Sequence, residues 1–311
     1  MRLKIWAATL LMFVALVAPA RAAEFEMISY SAQVKLQWLA AAGIPEAQMF
    51  NKLLGKPDFF NKDNLRDFDR LEKVNAIYNE FCYASFIDFI RARDYKNVYE
   101  IGCSYSPRVV ALVRDGRKYV GAELAAVAMI ADDLADRVLG KKYRNQFEYF
   151  DAPVTDAEAM LGAADFLNGE VCVIEQGLMI YFNREQIAEM LVHVKEILQA
   201  HGGCFVTSNF CRKPYFAQIV EPIYGADAVE PLYRRTRMLY EDVLGDPMYD
   251  DTFTSDKDAL KFLNGLGFKV EQVPLFRAEP QLYSFSSLTS DQISAMKRLA
   301  KQNYIWVLTL K

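Results

Sequence analysis

The sequence predicts an α/β fold: a doubly wound, mostly parallel sheet with helices on both faces, an antiparallel C-terminal hairpin, a helical N-terminal extension and a helical insertion. Three observations predict it. Short apolar runs alternate with helical periods from about residue 98 to residue 208, which is the pattern of a parallel sheet covered on both faces. That alternation breaks at Asn209–Thr252, a long aromatic and arginine-rich stretch. Two further strand-like runs then close the chain.

In order, Ser29 to Ala42 is helix-like, with Ala32, Leu36 and Leu39 on one face, ended by Gly43 and Pro45. Asn51 to Asp63 is polar, carries a proline and reads as a loop. A long helix is expected from about Leu65 to Ala92. The strands are Val98–Ile101, Tyr119–Leu124, Phe147–Asp151, Val171–Glu175 and Cys204–Ser208. The helices between them are Ser106–Arg114, Ala125–Leu139, a short one near Ala157–Leu161, and Arg184–Ala200. Asn183 with Gln186 three residues on forms a capping-box pattern for the last of these. Ser255–Leu266 is helical. Phe268–Arg277 and Tyr304–Lys311 are the strands of the hairpin, split by the short segment Thr289–Lys301.

Composition narrows the function. Net charge is -4 over 311 residues, so a general attraction for nucleic acid is not expected. The five cysteines are odd in number and lack paired spacing, which is not a disulfide framework. Cys172 and Cys204 lie inside apolar strand runs and read as core residues. With His193 and His201 the only histidines and no CxxC or HxxxH spacing, no metal site is expected.

The N-terminus has two readings. Met1–Lys4 carries two positive charges, Ile5–Ala20 is almost wholly apolar, and Ala20-Arg21-Ala22 offers small residues to a signal peptidase. Residues 1–22 thus resemble a cleavable export signal for a periplasmic or secreted protein, with an apolar run short for a membrane span. Losing Arg2, Lys4 and Arg21 takes the net charge to -7. The alternative is a cytoplasmic protein starting at Met27.

In an open α/β sheet, ligands bind beyond the carboxyl ends of the strands at the switch point of strand order. The first strand runs into VYEIGCSYSPR, Val98 to Arg108. Gly102 permits a tight turn and a close ligand. Ser104 and Ser106 are small, and Glu100 can accept from a ligand ammonium or hydroxyl. A dinucleotide fingerprint would need GxGxxG, but the matching positions are Gly102, Ser104 and Pro107. S-adenosylmethionine has no phosphate and carries positive charge, so an acidic loop with fewer glycines suits it better. Glu123, Asp151 and Glu175 end the next three strands. A carboxylate at Glu123 can bind both ribose hydroxyls of an adenosine ligand, and Asp151 is placed to accept from an adenine amino group.

These segments resemble the leucine carboxyl methyltransferase family and its bacterial S-adenosylmethionine-dependent O-methyltransferase relatives. IleSerTyrSerAla from Ile28 is similar to the family's opening, and EIGCSYSPR to its first motif. YVGAEL, FEYFDA, VCVIEQGLMIYF (Val171–Phe182) and GGCFVTSNF follow in the family's order. The resemblance implies a Rossmann-like methyltransferase sheet, with one domain over 28–311. That domain divides into N-terminal helices (28–95), a cofactor-binding core (96–208), a helical substrate or lid insertion (209–253), and a C-terminal helix and hairpin (254–311).

The resemblance also implies the site. Glu100, Gly102, Cys103 and Arg108 would frame the amino-acid end of the cofactor. Glu123 and Leu124 would hold the ribose, Asp151 and Ala152 the adenine, and Glu175 the methionyl amine. Tyr181 would line the methyl-transfer position. The family's second glycine is Ser104 here, and its following aspartate is Ser106. Its arginine in the helix before the first strand is missing from Val74–Glu80, with Arg66 or Arg70 a turn or two earlier.

A carboxylate acceptor needs no base, whereas an alcohol does. The shortage of candidate bases favours a carboxylate (or hydroxyl) on a small molecule or peptide. In the insertion, Arg234 and Arg237, near Tyr233 and Tyr240, could hold an acid by bidentate pairing. The competing readings are a degenerate, non-catalytic scaffold of the same fold and a nicotinamide oxidoreductase.

Overall fold

A computed structural model describes residues 32–55, 68–208, 210, 212–244 and 252–311. The export-signal segment, Met27, Ile28, Arg66 and Cys211 lie outside the described residues, as do most of the expected 51–63 loop and the side chain of Tyr240.

Helix α1 covers residues 32–42. Pro45 does not end the ordered chain there. It opens α2 (Pro45–Leu54), standing in the first turn with Glu46 beside it, and Gly55 closes the helix in the left-handed conformation. Proline suits a first helical turn because its missing N–H would have no partner there. The expected loop from Asn51 is therefore corrected: residues 51–54 are the last turn of α2. The long helix α3 is Phe68–Ala92.

The alternation follows: β1 (Asn97–Ile101), α4 (Arg108–Arg114), β2 (Lys118–Glu123), α5 (Ala125–Leu139), β3 (Phe147–Asp151), α6 (Ala157–Ala164), β4 (Val171–Glu175), α7 (Arg184–His201) and β5 (Gly203–Thr207). The capping box between Asn183 and Gln186 is present at the start of α7. The insertion folds into α8 (Arg212–Tyr224) and α9 (Val229–Leu244). The chain ends with α10 (Asp256–Gly265), β6 (Phe268–Pro274), α11 (Ser290–Gln302) and β7 (Tyr304–Leu310). The segment expected only as a connection between the last strands is α11, opened by a capping box from Thr289 to Gln292.

The seven strands form one sheet in the order β3-β2-β1-β4-β5-β7-β6. The first five are parallel. β7 runs antiparallel to both β5 and β6, so it lies inside the edge and β6 is outermost. Strand order departs from β1 in both directions, which puts the switch point between the carboxyl ends of β1 and β4.

Both faces are covered. The two-residue period of a strand sends alternate side chains to opposite faces. Val98, Tyr119, Cys172 and Val206 join the core under α1, α3, α4, α5 and α8. Tyr99, Val120, Val173 and Phe205 join the core under α6, α7 and α10. Gly121 in mid-β2 is required by packing: a Cβ there would stand 2.4 Å from the Tyr149 ring. No helix among the described residues is long and apolar enough to cross a membrane.

Candidate functional site

At the top of β1 the chain makes two left-handed turns, Gly102 at φ 56° and Ser104 at φ 53°. Glycine adopts this region freely, whereas a residue with a Cβ pays about 1–2 kcal/mol. Ser104 keeps the backbone path at that cost and its N–H donates to the Glu123 carboxylate at 3.0 Å. The Leu124 N–H donates to the other oxygen at 3.0 Å. Glu123 thus bridges the β1 and β2 loops, half-buried, with lone pairs left on both oxygens. Burial pushes its carboxyl above the usual range, against the pull of those two backbone bonds.

Asp151 pairs in register with Glu123 and is exposed at the end of β3. Ala152, buried behind it, donates its N–H to the Glu123 carbonyl at 3.0 Å. Glu123, Leu124, Asp151 and Ala152 therefore stand side by side at the ends of β2 and β3. Leu124 is 37 % exposed.

The other predicted residues are enclosed. Glu100 shares a sheet face with Val98, and that face is covered by α3 and α4. Its carboxylate meets the Arg108 guanidinium, both side chains 1 % exposed. It also accepts from Ser106 Oγ at 3.1 Å and Tyr119 Oη at 2.9 Å. Arg108 lies over the rings of Tyr83 and Phe86 and donates to Gln176 Oε1 at 2.6 Å. Glu100 and Arg108 thus hold each other away from solvent, with Arg108 Nε buried and without a hydrogen-bond partner among the described residues. Cys103 is buried and its thiol is pushed well up by burial.

Glu175 is likewise 1 % exposed. One oxygen accepts from the N–H groups of Leu178 and Met179, and the other from Thr207 Oγ1 at 2.7 Å. The carboxylate builds the 3-10 turn Met179–Tyr181 and so sets the half-buried Tyr181 just beyond β4. Leu178 in this turn lies over the first loop: a Cβ on Gly102 would come 2.9 Å from its side chain.

Arg234 and Arg237 lie on α9. Arg234 is exposed, and Arg237 pairs with Glu241 one turn on at 3.4 Å. Both sit close enough to help hold the Glu230 carboxyl below its usual value, an effect led by Lys213. Arg70 lies over the Tyr224 ring of α8. His193 Nδ1 meets the Val154 carbonyl at 2.7 Å.

The cation at the strand ends comes from α1. Lys35 Nζ donates to the Gln176 carbonyl at 2.7 Å, one residue past the end of β4. Burial pushes its ammonium below the usual value; Glu100 pulls it back up, Arg108 pushes it down, and Glu175 and Cys103 pull it up. Gln176 also donates through Nε2 to Asn79 on α3 at 3.4 Å, so three helices meet at this one residue. A signal for Lys35 does exist in the sequence: it is the only charged residue from Ile28 to Gly43. Periodicity alone assigns α1 to packing and overlooks it.

The carboxyl ends of the strands are therefore cationic beside β4, at Lys35, and acidic at β2–β3, at Glu123 and Asp151. Among the described residues no group of histidine, cysteine, aspartate and glutamate is arranged to hold a metal ion.

No protein-family profile matches the sequence, and no curated protein matches it. Solved structures are similar in fold. A DUF574-family protein from Streptomyces avermitilis aligns with a TM-score of 0.52 at 12% identity, over 90% of this chain and 97% of that one. Magnesium protoporphyrin IX methyltransferase from Synechocystis, with bound SAM, aligns at 0.45 and 13% identity, over 80% and 93%. Geranyl diphosphate C-methyltransferase from Streptomyces coelicolor aligns at 0.41 and 11% identity, over 80% and 87%. The likeness is one of fold, and with the strand order it identifies the architecture of this chain as a Rossmann-like, doubly wound α/β fold.

Proposed function

We propose that this protein is an S-adenosylmethionine-dependent methyltransferase acting on a carboxylate, or a hydroxyl, of a small molecule or peptide. The observation that carries the reading is the charge layout at the strand ends: Lys35 on one side, Glu123 and Asp151 on the other. S-adenosylmethionine has a carboxylate at one end and a hydroxyl-bearing ribose and an adenine at the other. Lys35 suits the carboxylate, the free lone pairs of Glu123 suit the ribose hydroxyls, and Asp151 with Ala152 suits the adenine. The bound SAM named for the Synechocystis enzyme lends support by analogy of fold.

Bound there, the cofactor would supply an electrophilic methyl group. The chain's own part is positioning. Gly102 and Ser104 keep the first loop low, and Glu175 holds the Tyr181 turn beside the strand ends. Holding acceptor and donor in line supplies much of the barrier reduction for such a displacement. A carboxylate acceptor needs no proton removed, which matches a site where His193 is engaged by Val154. Arg234 and Arg237 are our candidates for holding the acceptor acid, and Tyr181 for lining the transfer position.

A second reading, a scaffold that binds without turnover, is favoured by the enclosure of Glu100, Arg108 and Glu175 and by Leu178 over Gly102. Incubation with S-adenosylmethionine and panels of carboxylic acids and alcohols separates the two. We expect S-adenosylhomocysteine to form with carboxylic acids. Cofactor binding without product on any acceptor would establish the scaffold instead. We further read 28–311 as one catalytic domain and 1–22 as a cleavable export signal, with a start at Met27 as the alternative. Mass spectrometry of the mature N-terminus distinguishes them.

A further inference from the structure

Two cysteines that the proposed activity does not use stand together at the other rim of the sheet. Cys172 is the second residue of β4 and Cys204 the second of β5. They are direct partners in the parallel register, so both side chains leave the same face. Their sulfurs lie 4.0 Å apart, and both residues are fully buried. The half-buried Tyr95, in the turn that leads into β1, has its hydroxyl beside Cys204. Cys204 is thus one side chain away from the rim.

We propose that Cys172 and Cys204 form a reversible thiol–disulfide pair, oxidised by small peroxides that reach Cys204 past Tyr95. The Cys204 thiolate attacks one peroxide oxygen, the O–O bond breaks, and a sulfenic acid and hydroxide form. The Cys172 sulfur then attacks the Cys204 sulfur, the S–O bond breaks, and the sulfenic oxygen leaves as water. With peroxide as oxidant, two thiols and one hydrogen peroxide become one disulfide and two waters. Cys204 is the attacking group because it is the one beside the half-buried Tyr95 at the rim, while burial pushes the Cys172 thiol well up.

Geometry permits the bond. Neighbouring strands lie about 4.8 Å apart, within the range of about 4.4–6.8 Å between Cα atoms that a disulfide spans. Bonded sulfurs are about 2 Å apart, so the two side chains must rotate toward each other from their present 4.0 Å.

The test uses the full chain, folded, with hydrogen peroxide as the probe. After exposure, the protein is denatured in excess iodoacetamide and its peptides are analysed by mass spectrometry. We expect a linked Cys172–Cys204 pair, with Cys82 and Cys103 alkylated, and restoration of both thiols by glutathione. Cys172→Ala should leave a dimedone-reactive sulfenic acid on Cys204, and Cys204→Ala should leave Cys172 a thiol. Recovery of both cysteines as alkylated thiols from the peroxide-treated wild-type protein would overturn the proposal. So would a link from either of them to Cys211. The wild-type result stands alone if a variant fails to fold.

Discussion

The half-buried Lys35 and the fully buried Arg108 are two cations with different work. Arg108 is locked to Glu100, Gln176 and two aromatic rings. Removing one member of a buried ion pair leaves an uncompensated charge, which costs about 3–5 kcal/mol. Chemical denaturation of Arg108→Ala should show a loss of that size, with partial recovery when Glu100→Leu is added; a loss under about 1 kcal/mol would mean the pair is hydrated. Lys35 donates to the Gln176 carbonyl, and burial lowers its ammonium value. An anionic ligand there favours the protonated form. Affinity for S-adenosylhomocysteine should therefore fall as pH rises through the lowered Lys35 value, with proton uptake on binding. Lys35→Arg should remove that component. Titration calorimetry in buffers of different ionisation enthalpy measures it, and identical pH profiles for wild type and Lys35→Arg would exclude Lys35 from the carboxylate site. The sequence made the strand-end acids legible because position on a strand is enough to place them. It did not reveal that Glu100 and Glu175 are enclosed, because their partners Tyr119 and Thr207 come from neighbouring strands.

At the scale of elements, the segment after β6 acts as a strap on α3. Arg277 N–H donates to Asp88, Tyr283 and Ser284 N–H groups donate to Glu80, and Lys73 donates to the Ser287 carbonyl. Burial pushes the Glu80 carboxyl above its usual value despite those bonds. The raised value means that its contribution is fully present below the unfolded carboxyl value and is lost as pH rises through the folded one. Stability measured across that window should slope downward with pH in the wild type and lose this slope in Glu80→Gln. Glu80→Ala should cost about 1–3 kcal/mol by leaving the two N–H groups without their acceptor. An unchanged slope in Glu80→Gln would assign the titration elsewhere. Elements were largely legible where period and caps agreed, as at Asn183 for α7. Two were missed although their signals were present. Pro45 follows Gly43 as a helix stop would but equally suits a first turn, and Thr289 with Gln292 repeats the capping pattern of α7. Both follow another element closely, and punctuation between adjacent helices reads equally as an end or a start.

For the whole molecule, the parallel alternation fixed the doubly wound class, while the place of β7 between β5 and β6 needed the three-dimensional pairing. That topology brings the ends of β1 and β4 beside α1, and so brings Lys35 within electrostatic reach of Glu123 at the strand ends. The central claim is that S-adenosylmethionine binds across these strand ends. Titration calorimetry of the folded protein with S-adenosylmethionine and with NAD, repeated on Glu123→Ala, tests it most directly. The account predicts micromolar binding of S-adenosylmethionine alone. It also predicts a loss of about 10–100-fold in the variant, the worth of hydrogen bonds to one charged group. Binding of neither ligand, or an affinity that Glu123→Ala leaves unchanged, would contradict it.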